Sequence, residues 1–230
     1  THNIVGSSDV YKRQGILELT VGAGTSGTGG IMRMYAGDSS AATGGAMYIE
    51  TGHGSISSSG LLSIRTANAG TTGVSGALIF SSGTSTDGDS GSLSIGSGAA
   101  TGGKGGDVTF TVGSGNTGSG GFLSIRAGRT SADTGGHLEI ASGDSTAKSS
   151  GNIHIYTPNA GSTGVSGMLV FSSGTTSAGN SGAIQIGTGT ATSGRGGTLE
   201  LTVGAGTSGT GGIMRMYAGD SSGTTGGAMY

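Results

Sequence analysis

The sequence predicts an all-β fold, a parallel β-solenoid (β-helix) of about 14 coils, each of 15 residues with two thin sheets. Three observations predict it. Glycine returns at fixed intervals, pairs of large apolar residues recur one residue apart, and both patterns keep step along the whole array.

Cutting the chain after the recurring glycine gives Ile-Leu-Glu-Leu-Thr-Val-Gly-Ala-Gly-Thr-Ser-Gly-Thr-Gly-Gly from Ile16, then comparable repeats from Ile31 and Ala46, and 14 complete repeats in all. Twelve have 15 residues. The two that begin at Leu61 and Asn152 have 16, lie 91 residues apart, and mark a higher-order period of six coils.

Position 2 of the repeat is apolar throughout, from Leu17, Met32 and Met47 to Leu199 and Met214, and so is position 4, from Leu19 and Met34 through Phe80 and Phe110 to Met216. Position 6 is small or β-branched, as in Val21, Ala36, Thr51, Ser82 and Val112. Apolar residues two apart are the signature of a strand with one face buried, whereas a helix needs spacings of three and four. The last position is Gly in 14 of 14 repeats and position 7 in 12 of 14, the exceptions being Ala67 and Pro158 in the two longer coils. Glycine there supplies the positive φ and close backbone approach that tight corners need. Each coil is therefore expected to hold a strand at positions 1 to 6, a corner near 7, a second strand near 8 to 12 and a corner near 13 to 15. Small residues at position 9, among them Gly24, Ser39, Gly54 and Ala100, are expected to face the large ones across a flat core.

Composition pulls the other way. With 55 Gly in 230 residues, one Pro and no Trp, the chain has little apolar surface to offset conformational entropy, the usual mark of disorder. The absence of Cys removes disulfides and thiolate metal sites, and a net charge of −2 argues against nucleic acid or anionic membrane as a partner. No apolar run approaches the roughly 20 residues that span a bilayer as a helix.

Residues 1 to 14 share nothing with the repeats. Asp9-Val10-Tyr11-Lys12-Arg13-Gln14 resembles the translated end of a sequencing-library adapter, so 1–14 are expected to be an artefact or disordered segment and 15–230 a single repeat array.

Stacked coils would place Glu18 beside Arg33, Glu50 beside Arg65 and Glu200 beside Arg215, as exposed ladder ion pairs, with His154 near Glu139. Tyr35, Tyr156 and Tyr217 share position 5 and are expected to face solvent. Other motifs carry little chemistry. Gly22 to Gly27 fits GxGxxG but opens no helix, and Gly102 to Asp107 matches the start of a calcium-binding repeat only once. His2, His53, His137 and His154 form no ligand cluster, and Asp87 with Asp89 reads as a solvated corner. No catalytic residue, metal site or cofactor is expected.

Repeats of the form x-Leu-x-Ile-x-x-Gly ending in Gly-Gly or Ser-Gly resemble the Gly/Ser/Thr-rich β-solenoid arrays of algal surface proteins and viral tail fibres. That resemblance implies a structural or adhesive segment of an extracellular or cell-surface fibre, without catalysis. A second resemblance is to the insect antifreeze solenoids, whose flat faces carry ranked threonines. Position 10 is Ser or Thr in 11 of the 12 regular coils, and the candidate ice or surface face is Thr25, Thr86, Thr101, Thr146, Thr192 and Thr207, joined by Thr84 and Thr190 at position 8. Asp38, His53, Arg129, Asp144 and Asp220, all at position 8, interrupt that pairing. A polysaccharide-cleaving β-helix enzyme is similar in topology but would need long coils and an acidic cluster.

Residues 17 to 40 are identical to residues 199 to 222, and Ala228-Met229-Tyr230 would begin another coil. The chain is accordingly expected to be an internal piece of a longer array, open at both ends and prone to associate end to end or with an extracellular surface or glycan.

Overall fold

A computed structural model describes residues 16–230. The expectations placed on residues 1 to 14 lie outside the described part. The chain divides into two units, Thr1–Thr111 and Val112–Tyr230, whose boundary falls inside the repeat that begins at Asp107.

Among the described residues there is no helix and no strand. The all-β solenoid is therefore corrected: the chain is a succession of irregular repeats, and neither "β-solenoid" nor "β-helix" describes it. The physical reason lies in where each repeat closes. A solenoid coil must bring its last residue back above its first, so that position 1 of the next coil pairs with position 1 of the last. Here the return stops at position 7. The N–H of the last glycine donates to the carbonyl of the glycine at position 7 of the same repeat, as in Gly30 to Gly22 at 3.2 Å, Gly45 to Gly37 at 2.7 Å, Gly136 to Gly128 at 3.0 Å and Gly227 to Gly219 at 2.8 Å. In seven of the 14 repeats this bond closes positions 7 to 15 into a loop, and no strand ladder joins successive repeats among the described residues.

That loop explains the invariant last glycine. In every repeat a Cβ at this position would meet the position-6 side chain or the position-7 glycine of its own repeat. At Gly121 it would lie 2.8 Å from Val112 Cγ1, at Gly197 3.2 Å from Thr188 Cβ, and at Gly45 3.1 Å from Gly37 N; at Gly30 and Gly212 it would press on Val21 and Val203. Position 6 is small or β-branched because it packs on this glycine. Its threonines also bond to it: Thr157 Oγ1 donates to the Gly167 carbonyl at 3.1 Å, and Thr188 Oγ1 to the Gly197 carbonyl at 3.3 Å.

Within each loop the chain bends sharply once, at positions 10 to 12 of the regular repeats, as at Thr25–Gly27, and at 11 to 13 of the longer ones, as at Thr71–Gly73. The two corners expected near 7 and near 13 to 15 are replaced by this single bend, which occupies the place expected for a second strand. Positive φ follows the bend as well: Gly88 (97°), Gly118 (76°) and Gly73 (125°) are each its last residue. The glycine at position 15 is required by close approach instead, whereas a Cβ on the glycine at position 7 would meet open space.

Positions 1 to 6 keep a trace of the expected alternation. Leu78 is 51% exposed, Ile79 79% and Phe80 58%. Alternation of side chains belongs to the backbone itself and survives without a sheet. Burial does not follow from it, because no described residue is buried and no hydrophobic core forms. The chain exposes 23100 Å² to solvent. A compact protein of this mass would expose about 9000 Å² and its unfolded chain about 31000 Å². The least exposed described residues are Ala36, Thr51, Thr66 and Thr157 at position 6, together with Gly54 inside a loop.

Candidate functional site

The feature repeated in constant register is the bend, and its chemistry is built at position 9. In four repeats a hydroxyl there accepts from the backbone of the bend. Ser39 Oγ accepts from Ala41 N at 3.4 Å and Ala42 N at 3.0 Å, Ser145 Oγ from Ala147 N at 3.3 Å and Lys148 N at 2.9 Å, and Ser221 Oγ from Gly223 N at 3.4 Å and Thr224 N at 3.0 Å. Thr130 Oγ1 takes Ala132 N at 3.3 Å. These are side-chain-closed turns, in which a short hydroxyl substitutes for a backbone acceptor. Three other repeats reach the same bend by close approach. A Cβ on Gly24 would lie 2.7 Å from the Gly27 carbonyl oxygen, one on Gly206 2.9 Å from that of Thr210, and one on Gly54 2.7 Å from that of Ser57. Position 9 is small for these reasons, not because it faces a second sheet.

Thr25, Thr86, Thr101, Thr146, Thr192 and Thr207 are each the first residue of a bend, and all are exposed. Thr84 and Thr190 lie two residues ahead of it, also exposed. The structure thus puts the six position-10 threonines in one local setting, one per repeat, and brings no two of them together through stacking. Sequence reasoning took position 9 as a column of small residues and missed the hydroxyl role of Ser39, Thr130, Ser145 and Ser221; the available signal was a Ser or Thr recurring two residues after the position-7 glycine, in a column that elsewhere holds Gly or Ala.

The charged side chains do not gather. Among the described residues the ion pair present is Lys104 with Asp107, 3.0 Å apart across the junction of two repeats. This uses the lysine and aspartate of the calcium-like motif. The expected pairs of Glu18 with Arg33, Glu50 with Arg65 and Glu200 with Arg215 are not formed. Glu18 instead accepts from Thr20 Oγ1 at 3.2 Å and Glu200 from Thr202 Oγ1 at 3.1 Å, each within its own repeat. Unstacked repeats place these partners 15 residues apart along the chain without closing the distance. Asp87 lies in a bend, where Ser85 Oγ donates to its backbone carbonyl at 3.1 Å. Tyr35, Tyr156 and Tyr217 face solvent as expected. No three His, Asp or Glu residues among those described could share a metal ion, and no helix is long and apolar enough to cross a membrane. A shallow recess at the first longer repeat is lined by Arg65, Thr66, Ala67 and Asn68.

No protein family, curated protein or solved structure matches the chain.

Proposed function

We propose that the chain is a structural or adhesive repeat segment of an extracellular surface or fibre protein and performs no catalysis. One observation carries this reading: an exposed bend that holds at least one Ser or Thr recurs once per repeat, at positions 10 to 12 of the 12 regular repeats and 11 to 13 of the two longer ones. A surface built this way gains strength by number. Each bend offers a weak polar contact, and many on one chain raise the effective concentration of the next contact. A polysaccharide or another hydroxyl-rich extracellular surface fits such contacts, because it presents donors and acceptors at intervals and no single deep group. Nucleic acid, cofactors and membrane insertion form no part of this reading.

The test is retention under flow. Beads carrying the full chain should be held on a polysaccharide film, and replacing Thr25, Thr86, Thr101, Thr146, Thr192 and Thr207 by Val should lower retention severalfold while each single change has little effect. No retention above that of uncoated beads would overturn the reading. The ice-binding alternative rests on the same six threonines together with Thr84 and Thr190. Thermal hysteresis abolished by Thr101→Lys and Thr192→Lys, but not by Glu139→Lys, would favour it instead.

A further inference from the structure

Two features of the chain are left without partners. The apolar residues at positions 2 and 4, from Leu17 and Leu19 to Met214 and Met216, are all at least 48% exposed. In addition, every one of the four glutamates stands one repeat ahead of a basic residue in its own column: Glu18 before Arg33, Glu50 before Arg65, Glu139 before His154 and Glu200 before Arg215. None of these pairs closes within the chain. Such a pattern has no use in a chain whose repeats do not stack.

We propose that a second copy of this chain covers the 1-to-6 segments edge to edge, running parallel and displaced by one repeat. At that displacement Glu18 of one copy lies beside Arg33 of the next, and the other three glutamates meet Arg65, His154 and Arg215 in the same way. Zero displacement would oppose Glu to Glu and Arg to Arg at every one of these sites. The apolar residues say why a copy, and no unrelated partner, fits. A partner must present pairs of large apolar groups once per repeat of about 15 residues, and this sequence itself has that spacing. The extra residue of the longer repeats lies past position 6, outside the paired segments, so it does not disturb them. The area suffices as well. The 13 overlapping repeats bring 26 side chains at positions 2 and 4, which at about 100 Å² of apolar surface each exceed the roughly 800 Å² per partner of a stable interface.

The inference deepens the fibre reading by naming what the fibre is made of, and its test is independent of retention on a polysaccharide. Sedimentation velocity at low ionic strength is run on the full chain, on a positive variant (Glu18→Arg, Glu50→Arg, Glu139→Arg, Glu200→Arg) and on a negative variant (Arg33→Glu, Arg65→Glu, His154→Glu, Arg215→Glu). The unaltered chain should associate with rising concentration, each variant alone should need at least tenfold more protein to do so, and an equal mixture of the two variants should regain association. A monomeric unaltered chain at high concentration would overturn the proposal, as would variants that associate like the unaltered chain or a mixture that does not recover. The mixture also separates loss of pairing from damage to either variant alone.

Discussion

Gly22 and Gly24 lie two residues apart in the first repeat and differ in what a methyl group would meet. Beside Gly22 there is nothing within 4 Å, whereas a Cβ on Gly24 would stand 2.7 Å from the Gly27 carbonyl oxygen and 2.8 Å from that of Thr28. Backbone atoms cannot step aside as a side-chain end can. Gly24→Ala should therefore open the loop and speed hydrogen exchange at the Gly30 amide, which donates to Gly22, while Gly22→Ala leaves that rate nearly unchanged. The hydroxyl version of the bend makes a separate prediction. Ser145 accepts from two amides, so Ser145→Ala should cost the loop about 1 kcal/mol and raise exchange at Ala147 and Lys148 severalfold, and Ser145→Thr should preserve both, because Thr130 makes the same kind of contact.

At the scale of the repeat, the period and the close approach at the last position were legible in the sequence, and the bend, its hydroxyl chemistry and the closure were not. Glycine at the last position announces close approach, and the small residues at positions 6 and 9 announce that something lies against them. What lies against them is the repeat's own loop. Sequence does not separate a nine-residue closure from a fifteen-residue one, because their entropic costs differ by only about 0.5 kcal/mol. Apolar alternation likewise states which side chains share a side of the backbone, not whether anything covers that side. The stacked arrangement would make Ile125→Asp far more damaging than Ser124→Asp, by burying a charge. In the structure Ile125 is 62% exposed. In dilute, unassociated chain both substitutions should leave the response to urea unchanged, and a cooperative transition that Ile125→Asp abolishes and Ser124→Asp preserves would restore the buried column. The missing contacts of Glu18, Glu50 and Glu200 have the same origin, since pairing by column assumes that columns stack.

For the whole molecule, composition was the better guide. A chain with 55 glycines and 4% aromatic residues has little to bury, and it exposes 23100 Å². The candidate site follows from this scale too: the threonine column was legible as a register, but a flat face was not, because flatness is a property of stacking. Cooperative unfolding comes from surface buried in common, and denaturant sensitivity scales with the surface newly exposed. The dilute chain should accordingly show a shallow, non-cooperative response to urea, with no sharp transition in circular dichroism. Amide hydrogen exchange resolved by residue, on the dilute monomer, tests the central claim most directly. Without an inter-repeat ladder, the amides of Leu123–Arg126 and their counterparts at positions 2 to 5 should exchange at nearly unprotected rates, and modest protection should be confined to last-position glycines such as Gly30, Gly45, Gly136 and Gly227 and to bend amides held by a position-9 hydroxyl, such as Ala147 and Lys148. Slow exchange running continuously through positions 1 to 6 of successive repeats would show stacked, hydrogen-bonded coils and contradict the self-closed repeat.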